Sequence, residues 1–195
     1  GYAATHGVVP LGFKDYPIEN VEGYSFDPDK ARAHMAEAGF ENGNGFPEVT
    51  LQINEGGGRN TSIAEAIKKM LEDNLNITIV LTKKPFKQHL TEIETGYVNF
   101  WRLGWVADYP LPETFLELFY GKNVPSNLHD RSYINSTRYQ NPLYDSLFEV
   151  SISTMDVTKR NTLYSELDQM AINDAAILPI FYSKNVRMLQ PRSEE

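Results

Sequence analysis

Three strand-forming runs, each separated from the next by a helix-length segment, constrain this chain more than any other feature. Val49-Thr50-Leu51-Gln52-Ile53 alternates as a half-buried strand does, Ile77-Thr78-Ile79-Val80-Leu81 is a β-branched apolar run, and Val98 to Trp105 reads as a third strand. Between the first two, Ile63, Ala66, Ile67, Met70 and Leu71 recur at helical spacing, and Ser62 with Glu65 has the spacing of a capping box. Between the second and third, Phe86, Leu90 and Ile93 mark a shorter helix that Gly96 stops. Strand, helix, strand, helix, strand at this spacing is the pattern of consecutive right-handed crossovers. It predicts a parallel or mixed sheet with helices on its faces.

The flanks are read from their punctuation. Gly7, Pro10, Gly12, Pro17 and Gly23 break any period in the first 26 residues, which read as an extended arm. Asp27-Pro28 then opens a helix over Ala31 to Ala38, with Gly39 as its left-handed stop. Beyond Trp105, Phe115, Leu116, Leu118 and Phe119 suggest a short apolar helix, and the polar, turn-rich stretch from Gly121 to Gln140 reads as a surface loop. Asn141-Pro142 begins a helix carrying Leu143, Leu147, Phe148 and Val150, and Asp156 caps a longer one through Leu163, Leu167, Met170 and Ala171. Ala175 to Tyr182 and Val186 to Leu189 read as closing strands.

Composition removes several function classes. At 195 residues the chain can bury one sizeable core, and 10 Phe, 11 Tyr and 2 Trp are too many core formers for a disordered segment. A net charge of −8 repels polyphosphate and anionic membrane, which argues against nucleic acid as the partner. With no cysteine there is no disulfide, thiolate zinc site, iron–sulfur cluster or cysteine nucleophile. The longest apolar run, Ala175 to Tyr182, is interrupted by Pro179 and falls short of the ~20 residues that cross a bilayer. The start at Gly1-Tyr2-Ala3-Ala4, with neither initiator methionine nor apolar leader, reads as a fragment or a processed product.

Few familiar catalytic patterns are present. His6, His34, His89 and His129 are scattered, with no spacing suited to a metal, and no nucleophile elbow occurs. Gly56-Gly57-Gly58 precedes a helix but lacks the companions of a phosphate loop, so it reads as a flexible turn. Glu92 and Glu94 could be paired carboxylates for hydrolysis, but residues two apart on a helix do not share a face. No cofactor or metal is expected.

One segment stands apart. Phe100-Trp101-Arg102-Leu103-Gly104-Trp105-Val106-Ala107-Asp108-Tyr109-Pro110 ends a predicted strand, and ligands of α/β sheets collect beyond the carboxyl ends of strands. Its residues include what a zwitterion needs: a carboxylate for an ammonium, a guanidinium for a carboxylate, and aromatic rings for what lies between. A buried tryptophan strand followed by a helix-capping aspartate would contain the same residues.

Gly104-Trp105-Val106-Ala107-Asp108-Tyr109, with Phe115-Leu116 after it, resembles the oligopeptide- and dipeptide-binding proteins of bacterial ABC importers, solute-binding family 5. Val8-Val9-Pro10, Tyr24-Ser25-Phe26-Asp27-Pro28-Asp29-Lys30-Ala31, Glu37-Ala38-Gly39-Phe40 and Asn141-Pro142-Leu143-Tyr144-Asp145 resemble that family's motifs in the same order. So do Arg160 with Leu163-Tyr164, and Asp174 through Tyr182. The resemblance implies an α/β fold: a periplasmic-binding-protein-like (type II) lobe, with a mixed, mostly parallel sheet flanked by helices. Residues 1–195 would be a single domain, the second, C-terminal lobe of a two-lobed protein whose first lobe is absent. It implies a non-catalytic, extracytoplasmic component, periplasmic or lipid-anchored, that serves an ABC membrane permease. Asp108 would anchor a peptide's α-amino group and Arg102 meet its carboxylate, while Trp105 lines the channel with Tyr109 and Trp101 beside it. Leu111 before Pro112 departs from the family, where many members carry an acidic residue. On the same scaffold Trp101, Trp105 and Tyr109 could instead stack on a carbohydrate, with Asp108 accepting from its hydroxyls.

Overall fold

The computed structural model describes residues 1–184. Its elements are β1 (Tyr2–Ala3), α1 (Pro28–Glu37), β2 (Val49–Asn54), α2 (Gly58–Leu75), β3 (Ile79–Lys84), α3 (Phe86–Glu94), β4 (Phe100–Trp101), α4 (Glu113–Leu116), α5 (Pro142–Ser153), α6 (Val157–Asn173) and β5 (Phe181–Tyr182). The central sheet has the order β3-β2-β4 with both pairs parallel, as the strand and helix alternation predicts. No helix among the described residues is long and apolar enough to cross a membrane.

Over Leu51 to Ile53, β2 is buried on both faces rather than on one as its alternation suggests, while Thr50 stays exposed. Leu51 and Ile53 cluster with Ala64 of α2 and Ile79 of β3. Gln52, on the opposite face by strand alternation, is equally buried, because its amide lies 3.2 Å from the Nδ1 of His89 on α3. A partner 37 residues away thus turns an apparently solvent-facing polar position into an interior one.

The larger core lies in the second half, where Phe115, Leu116, Phe119, Tyr144, Phe148, Tyr164, Leu167 and Ala171 pack together. Val9, Tyr16 and Val21 of the N-terminal arm complete it. That arm is fixed by Asp168 of α6, which accepts from the amides of Val8 (2.6 Å) and Val9 (3.2 Å) and from the Tyr16 hydroxyl (2.8 Å). A Cβ on Gly7 would overlap the same carboxyl group, so the arm passes there only as glycine.

Several local readings change. The Ser62–Glu65 capping box does not form: α2 begins at Gly58, and the Ser62 hydroxyl donates to the Gly58 carbonyl inside the helix at 3.1 Å. Only Phe100–Trp101 of the Val98 to Trp105 run joins the sheet, and only Phe181–Tyr182 of the Ala175 to Tyr182 run is strand, paired antiparallel with β1. Val186 to Leu189 lies outside the described residues. α5 buries Tyr144, Phe148 and Ser151 and leaves Leu143 and Val150 exposed, because the Tyr144 hydroxyl donates inward to the Leu116 carbonyl at 2.8 Å. The stretch from Gly121 to Gln140 is no simple surface loop. Ser132 and Asn135 are fully buried in it, and the Asn135 amide donates to the carbonyls of Tyr120 (3.1 Å) and Tyr139 (2.8 Å).

Candidate functional site

Parallel pairing brings the carboxyl ends of β2 and β4 to one edge of the sheet. Beyond Trp101 one further ladder bond forms, from the Arg102 amide to the Gln52 carbonyl at 3.0 Å, and then the chain leaves the sheet. Trp101 stays in the ladder opposite Gln52, half-buried. Arg102 turns toward the end of β2, where its Nη1 meets the Asn54 side-chain oxygen at 3.4 Å. After Asn54, Gly56 takes φ of 92°, a left-handed value that favours glycine, and α2 starts with Arg59 in its first turn.

Arg102 and Arg59 therefore face the same edge. Burial, and then the neighbouring charge of Arg59, lower the pKa of the Arg102 guanidinium. Among the described residues neither arginine has a carboxylate partner. Two neighbouring cations with no carboxylate partner among the described residues give this corner a positive potential that attracts anions.

His89, which the sequence shows only as a scattered histidine, holds this corner from beneath. A carbonyl can only accept, so its Nε2 donates to the Arg102 carbonyl at 2.9 Å and its Nδ1 accepts from Gln52. Burial pushes the His89 pKa down. The folded state then resists a proton that the unfolded chain accepts below about pH 6.5, so this group withdraws stability as pH falls from there toward its lowered value. The melting midpoint is expected to drop between pH 7 and pH 5 in the parent and to drop less in His89→Gln. Equal drops in thermal melts of the two would assign the acid sensitivity to other groups.

The opposite pole lies six residues further along. Asp108 is exposed, and its carboxylate accepts no hydrogen bond among the described residues; only its amide is engaged, with the Thr114 hydroxyl at 3.3 Å. It does not cap α4, whose N-cap is Pro112, so the helix-capping alternative is removed. Glu113 accepts from the hydroxyls of Tyr109 and Tyr164, each at 3.0 Å. Glu117 has its pKa raised by burial and then by the negative charges of Glu113 and Asp108. Three carboxylates thus stand near one another with no paired cation among the described residues. Spacing of four residues on the short helical segment after Asp108 was the only signal for Glu113 and Glu117.

Between the poles, Trp105 packs on the larger core, and its buried Nε1 has no hydrogen-bond acceptor among the described residues. Six residues of extended chain reach at most about 20 Å, which limits the separation of the Arg102 and Asp108 backbones. Val106 is 80% exposed, so the segment is an open rim rather than a closed pocket.

The rival constellations come apart. Glu92 accepts from Gln88 at 2.7 Å and lies 3.8 Å from Lys84, whereas buried Glu94 pairs with Arg131. His6 contacts the Val21 carbonyl, His34 contacts Glu37, and His129 stacks on Tyr97. Among the described residues no group of three His, Cys, Asp or Glu could hold a metal ion.

Residues 1–127 match the model of the family described as "Bacterial extracellular solute-binding proteins, family 5 Middle". The periplasmic oligopeptide-binding protein OppA of Escherichia coli is 26% identical over 166 residues, which cover 84% of this chain and 28% of that protein. The oligopeptide-binding protein OppA of Bacillus subtilis is 27% identical, covering 88% of this chain and 30% of its own length. Among solved structures, a periplasmic oligopeptide-binding protein of Borrelia burgdorferi superposes with a TM-score of 0.74 at 27% identity, over 88% of this chain and 32% of that one. The chain thus spans about three-tenths of the length of these relatives.

Proposed function

Because the chain belongs to the bacterial extracellular solute-binding proteins of family 5, we propose that it is the second lobe of a two-lobed, extracytoplasmic oligopeptide receptor serving an ABC importer. Family and relatives are substrate-binding proteins rather than enzymes. The observation that supports this reading is a pair of poles that no ion pair among the described residues neutralises, Asp108 with Glu113 and Glu117 at one end of a rim, Arg102 with Arg59 at the other. An extended peptide carries the complementary charges at its two ends. Desolvating an ammonium or a carboxylate is costly unless each is paired, so fixed poles give both affinity and chain-end selectivity. Trp105 and Tyr109 line the path between them, with Trp101 behind, and tolerance of side chains comes from main-chain hydrogen bonds and bound water.

The rim is open on this lobe, so the other lobe supplies the opposing wall, and hinge closure around the peptide forms the state that the membrane permease receives. Native mass spectrometry of the complete two-lobed protein, purified from cells, tests the reading. Bound masses that fragment as peptides are expected. Bound hexose masses would overturn it in favour of a carbohydrate stacked on Trp101, Trp105 and Tyr109.

A further inference from the structure

The Arg59 guanidinium lies over the ring of Phe181, 4.1 Å from its centroid. Phe181 belongs to β5, where it pairs with Ala3 of β1. The next residue, Tyr182, points to the other face, is buried, and donates its hydroxyl to the Gly7 carbonyl at 2.8 Å. The ring under Arg59 is therefore carried by a strand fixed on both sides. An exposed arginine with no carboxylate partner among the described residues, repelled by a second arginine, would otherwise distribute its side chain over many rotamers facing solvent. Stacking on an aromatic face holds a guanidinium while leaving its N–H groups free to donate.

We propose that Phe181 is a positioning residue that holds Arg59 beside Arg102, so that the two present a preformed site for a ligand carboxylate. The proposal rests on the peptide reading above and assigns the selectivity for a free carboxyl end to a residue on a different element from either arginine. Preorganisation of this kind raises affinity by reducing the ordering that binding requires.

The test uses the complete two-lobed protein and alanine peptides of two to five residues, each as the free acid and as the C-terminal amide, titrated calorimetrically. The parent is expected to prefer the acid. Phe181→Leu is expected to lower that preference about three- to tenfold, the worth of one cation–π contact, and Phe181→Tyr to restore it. Arg59→Gln lowers the same ratio, and adding Phe181→Leu to it brings no further loss, because the ring acts through Arg59. A preference unchanged in Phe181→Leu, or acid and amide weakened equally, would overturn the assignment and leave the peptide reading standing. Failure of the parent to bind any of the peptides in either form would overturn both.

Discussion

Asp168→Ala is expected to destabilise the fold by about 2–5 kcal/mol, a large part of what a domain of this size has. The substitution leaves the amides of Val8 and Val9 and the hydroxyl of Tyr16 without their buried acceptor. Each orphaned donor costs roughly 1–3 kcal/mol, and the sum is reduced because a buried carboxylate carries its own desolvation cost. That cost is visible in Asp168 itself, whose pKa is raised by burial and only partly brought down by the three donors. Since the folded state holds this proton more readily than the unfolded chain, Asp168 favours the fold as pH falls, the reverse of His89. Tyr16→Phe removes one donor and is expected to cost about 1 kcal/mol. Gly7→Ala forces a methyl group into the carboxyl group and should release the arm as Asp168→Ala does. Urea unfolding measures all three variants. A midpoint for Asp168→Ala equal to the parent's would show that the arm's attachment contributes nothing, despite Val9 and Val21 being buried with it.

What could be read from the sequence follows how local each signal is. Asp27 accepts from the Lys30 amide, Asn141 from those of Leu143 and Tyr144, and Asp156 from that of Lys159. Those caps are contacts between a side chain and a backbone at most three residues away, so they were legible. The start of α2 was not, because a glycine N-cap carries no side chain to announce it, and Ser62 with Glu65 imitates a cap five residues past the real one at Gly57. The burial of Gln52 and the inward face of α5 depended on partners in other elements, and the helical period alone does not choose between Leu143 and Tyr144.

The site divides in the same way. Trp101, Arg102, Trp105, Asp108 and Tyr109 are legible because they lie within one short segment that follows a strand. The parallel pairing of β2 with β4 adds Arg59 from the start of α2, and the antiparallel pairing of β1 with β5 fixes Phe181. His89 reaches the Arg102 carbonyl only because α3 covers the face of β2 that carries Gln52. No spacing rule in the sequence encodes those meetings, since they arise from the order of strands in the sheets.

Asp108→Asn is expected to weaken capture of a peptide with a free amino end by roughly tenfold or more, the worth of one charge-assisted contact. The exposed carboxylate makes no internal hydrogen bond among the described residues, so the substitution should change folding stability by no more than about 0.5 kcal/mol. Loss of binding can then be separated from loss of fold. Calorimetry on the complete two-lobed protein with one peptide, free and N-acetylated, completes the argument. Acetylation removes the ammonium and should cost the parent about what Asp108→Asn costs, whereas the variant should no longer distinguish the two peptides. Were the variant still to prefer the free amine, the anchor would pass to Glu117, which shares the same negative field and has no paired cation among the described residues. Glu117→Gln would then abolish the preference that Asp108→Asn had left. Indifference of the parent to acetylation would remove the amine from recognition altogether, leaving the acidic pole to accept from neutral donors such as sugar hydroxyls.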